Sequence, residues 1–275
     1  MDRYAVLGNP VSHSLSPRIH RMFAEQTGEP ISYVALEPPR DEFRPFVEAL
    51  HEQGYAGMNV TLPFKQDAWA LAEKRSKRAE RAGAVNTLIR TKSGYRGDNT
   101  DGAGLLADLT RNLGVELAGS HILLLGAGGA ARGALQPLLA SDPASLHVAN
   151  RTAAKAEALA NDFSDLGAIS GSGLDGPFPQ RRYDIIINGT AASIQGEVPT
   201  LPDDILNDGG VCYDLMYASE GETAFVRWGR AQGASISSDG LGMLVEQAAE
   251  SFYLWRDIRP GTRNVLKALR AEISG

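Results

Sequence analysis

The chain has 275 residues, of which 43% are apolar and 22% are charged, a composition typical of globular proteins with one or two domains. The formal net charge is -6 at pH 7 and no run of lysines and arginines occurs, so we expect neither nucleic acid nor an anionic membrane as a partner. The sequence also lacks the pattern of a signal peptide or membrane span, a second cysteine besides Cys212, and paired histidines. We therefore expect a cytoplasmic protein that binds a small molecule and no metal.

Short apolar runs alternate with helical patterns in the first hundred residues, which predicts a βαβα arrangement. The expected strands lie at 4–7, 31–36 and 57–60, and the expected helices at 17–26, 41–53, 64–74 and 77–82. Two more strands, 85–90 and 95–97, should pair through a turn at Ser93 and Gly94. A helix over 101–113 follows.

The pattern restarts at His121 with the apolar strand 122–125, a glycine turn and a helix through Leu139. Later strands are expected at 146–149, 183–187, 211–215 and 234–236, in a parallel sheet. Helices at 241–255 and 263–273 end the sequence. We place one domain at 1–102 and a second at 103–239.

The glycine turn has the spacing of a dinucleotide-binding loop, with Gly126, Gly128 and Ala131 at its key positions. The first glycine permits a tight turn, the second lets the backbone approach a pyrophosphate, and the small third residue allows close packing of helix on strand. Because a strand precedes the turn and a helix follows it, we expect Gly126, Ala127, Gly128, Gly129, Ala130 and Ala131 to bind the pyrophosphate of a cofactor.

The end of the next strand indicates which cofactor. NAD-specific sites carry an acidic residue about twenty residues after the glycines, where it accepts from the ribose 2′-hydroxyl. This chain has Asn150, Arg151 and Thr152 there, with Lys155 one helical turn later. A guanidinium pairs with a 2′-phosphate, so the sequence favours NADP.

Four polar clusters lie at the predicted ends of strands or starts of helices, where open α/β sheets bind ligands. They are 12–16, 59–65, Asn86 with Thr87, and 98–101. Several members also have a structural explanation, because Ser16, Thr61 and Asn99 or Thr100 could each cap a helix. Ser14 has no such explanation from the sequence.

Lys65 is the most informative member of these clusters. It falls in the first turn of a predicted helix, where a cation opposes the helix macrodipole. That placement favours a role in proton transfer at a hydroxyl that is being oxidised. Asp101, at the start of its own helix, is a candidate to hold the ammonium, although sequence alone does not show that the two side chains meet.

Together these segments resemble shikimate dehydrogenases over nearly the whole chain. The matching motifs are GNP at 8–10, SHSLSP at 12–17, NVTLPFK at 59–65, GAVNT at 83–87, GDNTDG at 97–102, GAGGAA at 126–131, NRT at 150–152, NGT at 188–190, YDLMY at 213–217 and DGLGML at 239–244 with Gln247. Two places depart from the family pattern: Leu15 stands where lysine is frequent, and Ala191 with Ala192 where hydroxyl residues are common.

The resemblance implies a two-domain α/β fold, in which an N-terminal substrate domain completed by helices from 240–275 adjoins a Rossmann-type NADP domain across a cleft. It implies reversible reduction of 3-dehydroshikimate to shikimate with NADPH, on the route to chorismate and the aromatic amino acids. Lys65 would then be the acid/base and Asp101 its partner. Ser14, Ser16 and Tyr217 would hold the carboxylate, and Asn59, Thr61, Asn86, Asp101 and Gln247 the ring hydroxyls. Thr190, Met216 and Gly240 would line the ribose and nicotinamide.

Other functions remain open at this point. A quinate/shikimate dehydrogenase of broader specificity would tolerate NAD better, which Arg151 disfavours. An NADP-binding regulatory relative without activity would have no need of Lys65 and Asp101 together. A dehydrogenase for an unrelated 2-hydroxy acid leaves the serine, asparagine and threonine clusters unexplained. We expect a monomer or a homodimer.

Overall fold

The structure, a computed structural model, describes residues 1–190, 192 and 196–273. It divides into two compact α/β units, one formed by Met1–Gly104 with Val245–Ala268 and the other by Leu105–Leu244 with the residues from Leu269 onward. The predicted two-domain α/β class is confirmed. The chain changes unit after Gly104, Leu244 and Ala268, whereas the sequence analysis placed the changes after 102 and 239 and kept 240–275 with the first domain. No described helix is long and apolar enough to cross a membrane.

The first unit is built on a six-stranded sheet in the order β2-β1-β3-β5-β6-β4. Its strands are β1 (Asp2–Leu7), β2 (Ile31–Leu36), β3 (Tyr55–Val60), β4 (Lys74–Arg75), β5 (Thr87–Arg90) and β6 (Tyr95–Asp98). Its helices before the first change of unit are α1 (Ser16–Thr27), α2 (Phe43–Glu52), α3 (Lys65–Leu71) and α4 (Lys77–Ala82). Strands β1, β2 and β3 are parallel, whereas β5 is antiparallel to β3 and β6. One edge of the sheet therefore collects the ends of β1, β3 and β6 and the start of β5.

The helix predicted over 64–74 is wrong at its carboxyl end. The helix stops at Leu71, and Lys74–Arg75 pairs with Arg96 and Gly97 as β4. The Arg75 guanidinium lies over the Trp69 ring at 4.1 Å and donates to the carbonyls of Trp69 and Ala72 at 2.9 and 3.1 Å. A side chain from the next strand thus supplies hydrogen-bond donors to carbonyl groups at the end of α3. These carbonyls would otherwise require a further helical turn for their partners.

The second unit contains a fully parallel six-stranded sheet in the order β12-β11-β10-β7-β8-β9. The chain enters it through α5 (Asp101–Ala107), which continues as a π-helical turn (Asp108–Asn112). Its later elements are β7 (His121–Leu125), α6 (Gly129–Leu139), β8 (Ser145–Asn150), α7 (Ala153–Asp162), β9 (Ile169–Gly173), β10 (Tyr183–Asn188), β11 (Leu206–Asp214), α8 (Ala224–Ala231) and β12 (Ile236–Ser238). The chain then forms α9 (Leu241–Arg256), which from Val245 onward belongs to the first unit, and α10 (Arg263–Ile273), which returns to the second unit at Leu269. Strand order reverses between β7 and β10, the position where such sheets bind nucleotides.

Candidate active site

Lys65 and Asp101 meet at the sheet edge of the first unit. Lys65 is the first residue of α3 and Asp101 the first of α5, and Lys65 Nζ donates to Asp101 Oδ2 at 2.6 Å. The lysine side chain is 27% exposed and the aspartate 13%. The pair is therefore largely screened from water yet still reachable by a small ligand. This contact is the one that the sequence analysis left undecided.

The amide of Asn86 fixes the second oxygen of Asp101. Asn86 Nδ2 donates to Asp101 Oδ1 at 2.8 Å and to Gln247 Oε1 at 3.3 Å. Asn86 Oδ1 accepts from the Thr100 N–H and from the Thr87 hydroxyl, both at 2.8 Å. Because Asn86 is only 2% exposed, its orientation is set by these partners, and both oxygens of Asp101 have defined donors.

Asn59 forms a buried support behind Asn86. Its Oδ1 accepts from the Tyr33 hydroxyl at 2.7 Å, and its Nδ2 donates to Ser251 Oγ at 2.9 Å, to Thr87 Oγ1 at 3.2 Å and to the Asn86 carbonyl at 3.2 Å. Asn59 is 6% exposed. In this geometry its amide is fully used within the protein, where it orients the residues around it.

Of the two serines after β1, Ser14 and not Ser16 has a side chain that bonds the start of α1. Helix α1 begins at Ser16 itself, Leu15 is the N-cap, and Ser14 Oγ accepts from the Ser16 N–H at 3.2 Å. The capping role predicted for Ser16 is therefore wrong, and Ser14 has the structural contact that its sequence context did not reveal. Ser16 is 6% exposed and Ser14 is half-buried.

The two other predicted caps have different outcomes. Helix α3 has Phe64 as its N-cap without a side-chain bond, so the capping role suggested for Thr61 is wrong. The Thr61 N–H instead donates to the Leu7 carbonyl at 2.8 Å, which ties the ends of β3 and β1 together. The Asn99 side chain does bond the first N–H of α5, because its Oδ1 accepts from the Asp101 N–H at 3.1 Å.

Sequence reasoning placed Thr87 and Thr100 in polar clusters without a specific substrate role and missed Tyr33 and Ser251, although all four join this network. The Ser251 hydroxyl lies within hydrogen-bond distance of Thr87 Oγ1 at 2.9 Å and Thr100 Oγ1 at 3.2 Å. A signal for Ser251 was present, since it follows Gln247 by one helical turn on α9 and residues at that spacing share a helix face. Nothing in the local sequence marks Tyr33.

The glycine turn of the second unit has the expected backbone. Gly126 has φ of 103°, and a Cβ there would lie 2.9 Å from the Gly189 carbonyl oxygen. A Cβ at Gly128 would meet nothing within 4 Å. Gly128, Gly129 and Ala130 are exposed, whereas Ala131 is fully buried against the sheet. Helix α6 thus begins at an open end without a side-chain cap, which suits a pyrophosphate.

The residues proposed for the 2′-phosphate gather at the end of β8. Asn150 ends the strand, and its Nδ2 donates to the Thr152 carbonyl at 3.0 Å. Thr152 is the N-cap of α7 without a side-chain bond, and Arg151, Thr152 and Lys155 are all exposed. The structure therefore presents two cations and a hydroxyl to solvent at one helix start.

The remaining cofactor candidates lie around two buried side chains, Asn188 and Asp214, at the ends of β10 and β11. Asn188 Oδ1 accepts from the Thr190 hydroxyl at 2.8 Å, and Asp214 Oδ1 accepts from Asn188 Nδ2 and the Met216 N–H, both at 3.1 Å. The Gly240 N–H donates to the Met216 carbonyl at 3.0 Å. A Cβ at Gly240 would lie 2.4 Å from the Leu215 oxygen, so only glycine fits. Of the two alanines that depart from the family pattern here, Ala191 lies outside the described residues, and the Ala192 N–H donates to Thr190 Oγ1 at 3.3 Å.

Two further groups clarify the chemistry. Tyr217, also in the second unit, is half-buried, and burial together with the charge of Asp239 raises the pKa of its hydroxyl. It is therefore a neutral hydrogen-bond donor near pH 7.

Cys212 is fully buried in β11, and burial raises its pKa to about 12. A thiol in that state is inert, as its apolar sequence neighbours indicated.

Comparison with known proteins decides the family. A shikimate dehydrogenase (NADP(+)) from Methylococcus capsulatus is 57% identical over 272 residues, which cover 98% of this chain and 97% of the relative. This chain belongs to the shikimate dehydrogenase family. A second member, the shikimate dehydrogenase (NADP(+)) of Alkalilimnicola ehrlichii, is 54% identical over 98% of this chain and 99% of its own length.

Domain and structure comparisons agree with this membership of the shikimate dehydrogenase family. Residues 6–88 match the shikimate dehydrogenase substrate binding domain, 108–195 the shikimate / quinate 5-dehydrogenase domain, and 240–270 the shikimate 5′-dehydrogenase C-terminal domain. The crystal structure of shikimate 5-dehydrogenase from Thermus thermophilus in complex with NADP(H) and shikimate superposes with a TM-score of 0.87. It is 33% identical and covers 99% of this chain and 100% of the other.

Proposed function

We propose that this shikimate dehydrogenase interconverts shikimate and 3-dehydroshikimate with NADP and NADPH. The observation that carries the proposal is the Lys65–Asp101 contact of 2.6 Å within a buried network of amides and hydroxyls. Family membership supplies the substrate pair, and the residues supply a chemical reason for each step.

Lys65 and Asp101 act at the hydroxyl that is oxidised. The cofactor, when bound, would supply the hydride acceptor for the carbon that bears this hydroxyl. Lys65 Nζ is the group that exchanges the hydroxyl proton as the carbonyl forms, and the same atom returns a proton in the reverse direction. Asp101 holds the lysine through Oδ2, while Asn86 keeps the carboxylate oriented through Oδ1.

The polar residues around the pair bind the rest of the substrate. Ser14 and Ser16, at the start of α1, and the neutral hydroxyl of Tyr217 receive the carboxylate. Thr61, Asn86 and Gln247 bind the ring hydroxyls. Asn59, whose amide is satisfied inside the protein, contributes by fixing Asn86 and Thr87. This division uses every substrate residue that the sequence analysis selected.

The second unit fits NADP. The open start of α6 at Gly128 receives the pyrophosphate, and Arg151, supported by Asn150, Thr152 and Lys155, pairs with the 2′-phosphate. Thr190, Met216 and Gly240 border the ribose and nicotinamide at the ends of β10 and β11. Two observations support the fit. The cationic start of α7 at Arg151 is exposed, and the space in front of Gly128 is open, so that a side chain there would occupy the place proposed for the pyrophosphate.

The alternatives differ in substrate and in turnover. A domain description that covers both shikimate and quinate matches residues 108–195, so broader specificity is the direct rival. Initial rates at the nicotinamide absorbance band, with shikimate or quinate and with NADP or NAD, separate the readings. Rapid reduction with only shikimate and NADP supports the proposal. Comparable oxidation of quinate would identify a quinate/shikimate dehydrogenase of broader specificity. Binding of NADP without turnover in any mixture would identify a regulatory relative without activity.

The cytoplasm and a monomeric or homodimeric state complete the proposed description. Light scattering coupled to size exclusion measures the oligomeric state directly, and any assembly larger than a dimer contradicts that part of it. Cell fractionation tests the location in the same way.

A further inference from the structure

A buried carboxylate outside the reacting pair organises the turn that leads to Asp101. Asp98 is 5% exposed. Its Oδ1 accepts from Ser76 Oγ at 2.6 Å, from Arg78 Nε at 2.6 Å and from the Asn99 N–H at 2.7 Å. A buried charge is stable only when it is paired and hydrogen-bonded, and Arg78 is the cation that pairs it.

The hydrogen bonds of Asp98 also fix the position of Asp101, through Asn99. Asn99, whose N–H is held by Asp98, accepts from the Asp101 N–H through Oδ1 and donates to the Ala84 carbonyl through Nδ2 at 3.1 Å. The Asp98 carbonyl also accepts from the Asn86 N–H at 3.0 Å. The positions of Asp101 and Asn86 therefore both depend on the backbone at Asp98.

The other arm of Arg78 reaches α9. Arg78 Nη1 donates to Glu250 Oε1 at 3.0 Å, and the Glu250 side chain is 14% exposed. Glu250 lies one helical turn after Gln247, whose Oε1 accepts from Asn86 and Thr100, both at 3.3 Å. One guanidinium thus joins the turn that carries Asp101 to the helix that carries Gln247.

We propose that Arg78 is a positioning residue for this dehydrogenase, which sets the Lys65–Asp101 pair and Gln247 relative to each other without touching the substrate. The inference rests on the proposed function. A planar guanidinium bonds two carboxylates from different nitrogens at fixed angles, whereas a lysine ammonium is a single point charge on a flexible stem. Displacement of a reacting group by about 1 Å costs up to roughly 100-fold in rate.

The test compares Arg78→Gln and Arg78→Lys with the control Arg259→Gln. Arg259 bonds the other oxygen of Glu250 and is 42% exposed, so its loss leaves both contacts of Arg78 in place. Arg78→Gln should lower kcat by roughly 10- to 100-fold, raise KM for shikimate and leave KM for NADP unchanged. Arg78→Lys should recover thermal stability more than it recovers kcat.

Wild-type kcat in folded Arg78→Gln, or an equal loss of kcat in Arg259→Gln, overturns the inference. If Arg78→Gln does not fold, Glu250→Gln weakens the far end of the bridge and also removes the ion pair with Arg259. Its kcat must therefore fall further than that of Arg259→Gln, which loses only the second pair, for the inference to stand. Absence of shikimate oxidation by the unmodified chain contradicts the proposed function instead, so the two failures are distinguishable.

Discussion

At the scale of single residues, the proposed chemistry depends on the contact between the Lys65 ammonium and the Asp101 carboxylate. Only two substrate-facing roles are chemically distinct here: proton exchange, which needs Lys65, and binding, which several amides and hydroxyls share. Loss of the first should therefore affect turnover much more than loss of any one of the others.

Lys65→Ala tests this distinction. The variant should lose roughly 100- to 10,000-fold in kcat, the usual contribution of a positioned acid/base, while it stays folded and binds NADPH normally. Lys92→Ala, at an exposed loop position, is the matched control and should retain full activity. Near-normal turnover of Lys65→Ala would remove the lysine from the mechanism.

Arg151→Ala tests the choice of cofactor. Arg151 is exposed at the start of α7, and a charge-assisted bond to a phosphate contributes about 1.5–3 kcal/mol, which corresponds to a rise of roughly 10- to 100-fold in KM for NADP. KM for NAD, which lacks the phosphate, should hardly change. Arg181→Ala, another exposed arginine, should alter neither constant. Equal effects of Arg151→Ala on both cofactors would contradict the assignment.

At the scale of elements, two glycines in the turn between β7 and α6 have different roles: Gly126 is needed for the fold, and Gly128 is needed for cofactor binding. Gly126→Ala places a Cβ 2.9 Å from the Gly189 carbonyl oxygen at a φ of 103°, whereas Gly128→Ala adds a methyl group in open space. Gly126→Ala should therefore lower the melting temperature. Gly128→Ala should leave it unchanged and still weaken NADP binding, because the methyl group occupies the path of the pyrophosphate.

Calorimetry with and without NADP measures both effects on the same samples. The pair serves as its own control, since the two substitutions are chemically identical and lie two positions apart. Unchanged NADP affinity in Gly128→Ala would show that the phosphates bind elsewhere.

The sequence predicted elements well where they have a regular apolar pattern and poorly where tertiary contacts define them. Strand 31–36 and helices 77–82 and 263–273 match the structure residue for residue. Strand β9, with the sequence ISGSG, has no apolar run and exists because it pairs with β8. Helix α5 becomes π-helical at Asp108, a buried carboxylate that accepts from the Tyr213 hydroxyl at 2.7 Å. No local pattern encodes that contact.

The site shows the same limit. Motif spacing selected Lys65, Asp101 and Asn86, because each follows or precedes a strand at one sheet edge. Tyr33 and Ser251 reach the network from a distant strand and from the C-terminal helix α9, and Arg78 acts through Asp98. Their roles depend on separations of up to 192 positions in sequence, which only the folded chain brings together.

At the scale of the whole molecule, each unit contains a buried histidine that makes it sensitive to acid. His20 in the first unit is fully buried, and burial lowers its pKa to about 3. His147 in the second unit is 2% exposed, lies 2.8 and 2.9 Å from the hydroxyls of Ser170 and Ser172, and has a pKa lowered by burial to about 4. Both rings are therefore neutral in the folded protein at pH 5.

The direction of the pH effect follows from the protonation of the unfolded chain. An exposed histidine in the unfolded state binds a proton below about pH 6.5, whereas the folded protein does not protonate these rings until pH 3 to 4. Because the unfolded state then binds more protons, the free energy of unfolding is highest above pH 6.5 and falls as the pH decreases toward the folded pKa. Each buried ring should contribute about 1.4 kcal/mol per pH unit across this window.

His147→Gln isolates the contribution of the second unit. The glutamine amide can still form hydrogen bonds with Ser170 and Ser172 but does not titrate. The informative quantity is therefore the pH dependence of the variant's unfolding free energy, not its value at a single pH. Between pH 7 and pH 5 the unfolding free energy of the unmodified protein should fall by roughly 2 kcal/mol more than that of His147→Gln, as measured by urea unfolding followed by circular dichroism. Parallel curves for the two proteins would mean that His147 takes up a proton equally well in the folded state, and that the acid sensitivity of the second unit has another origin.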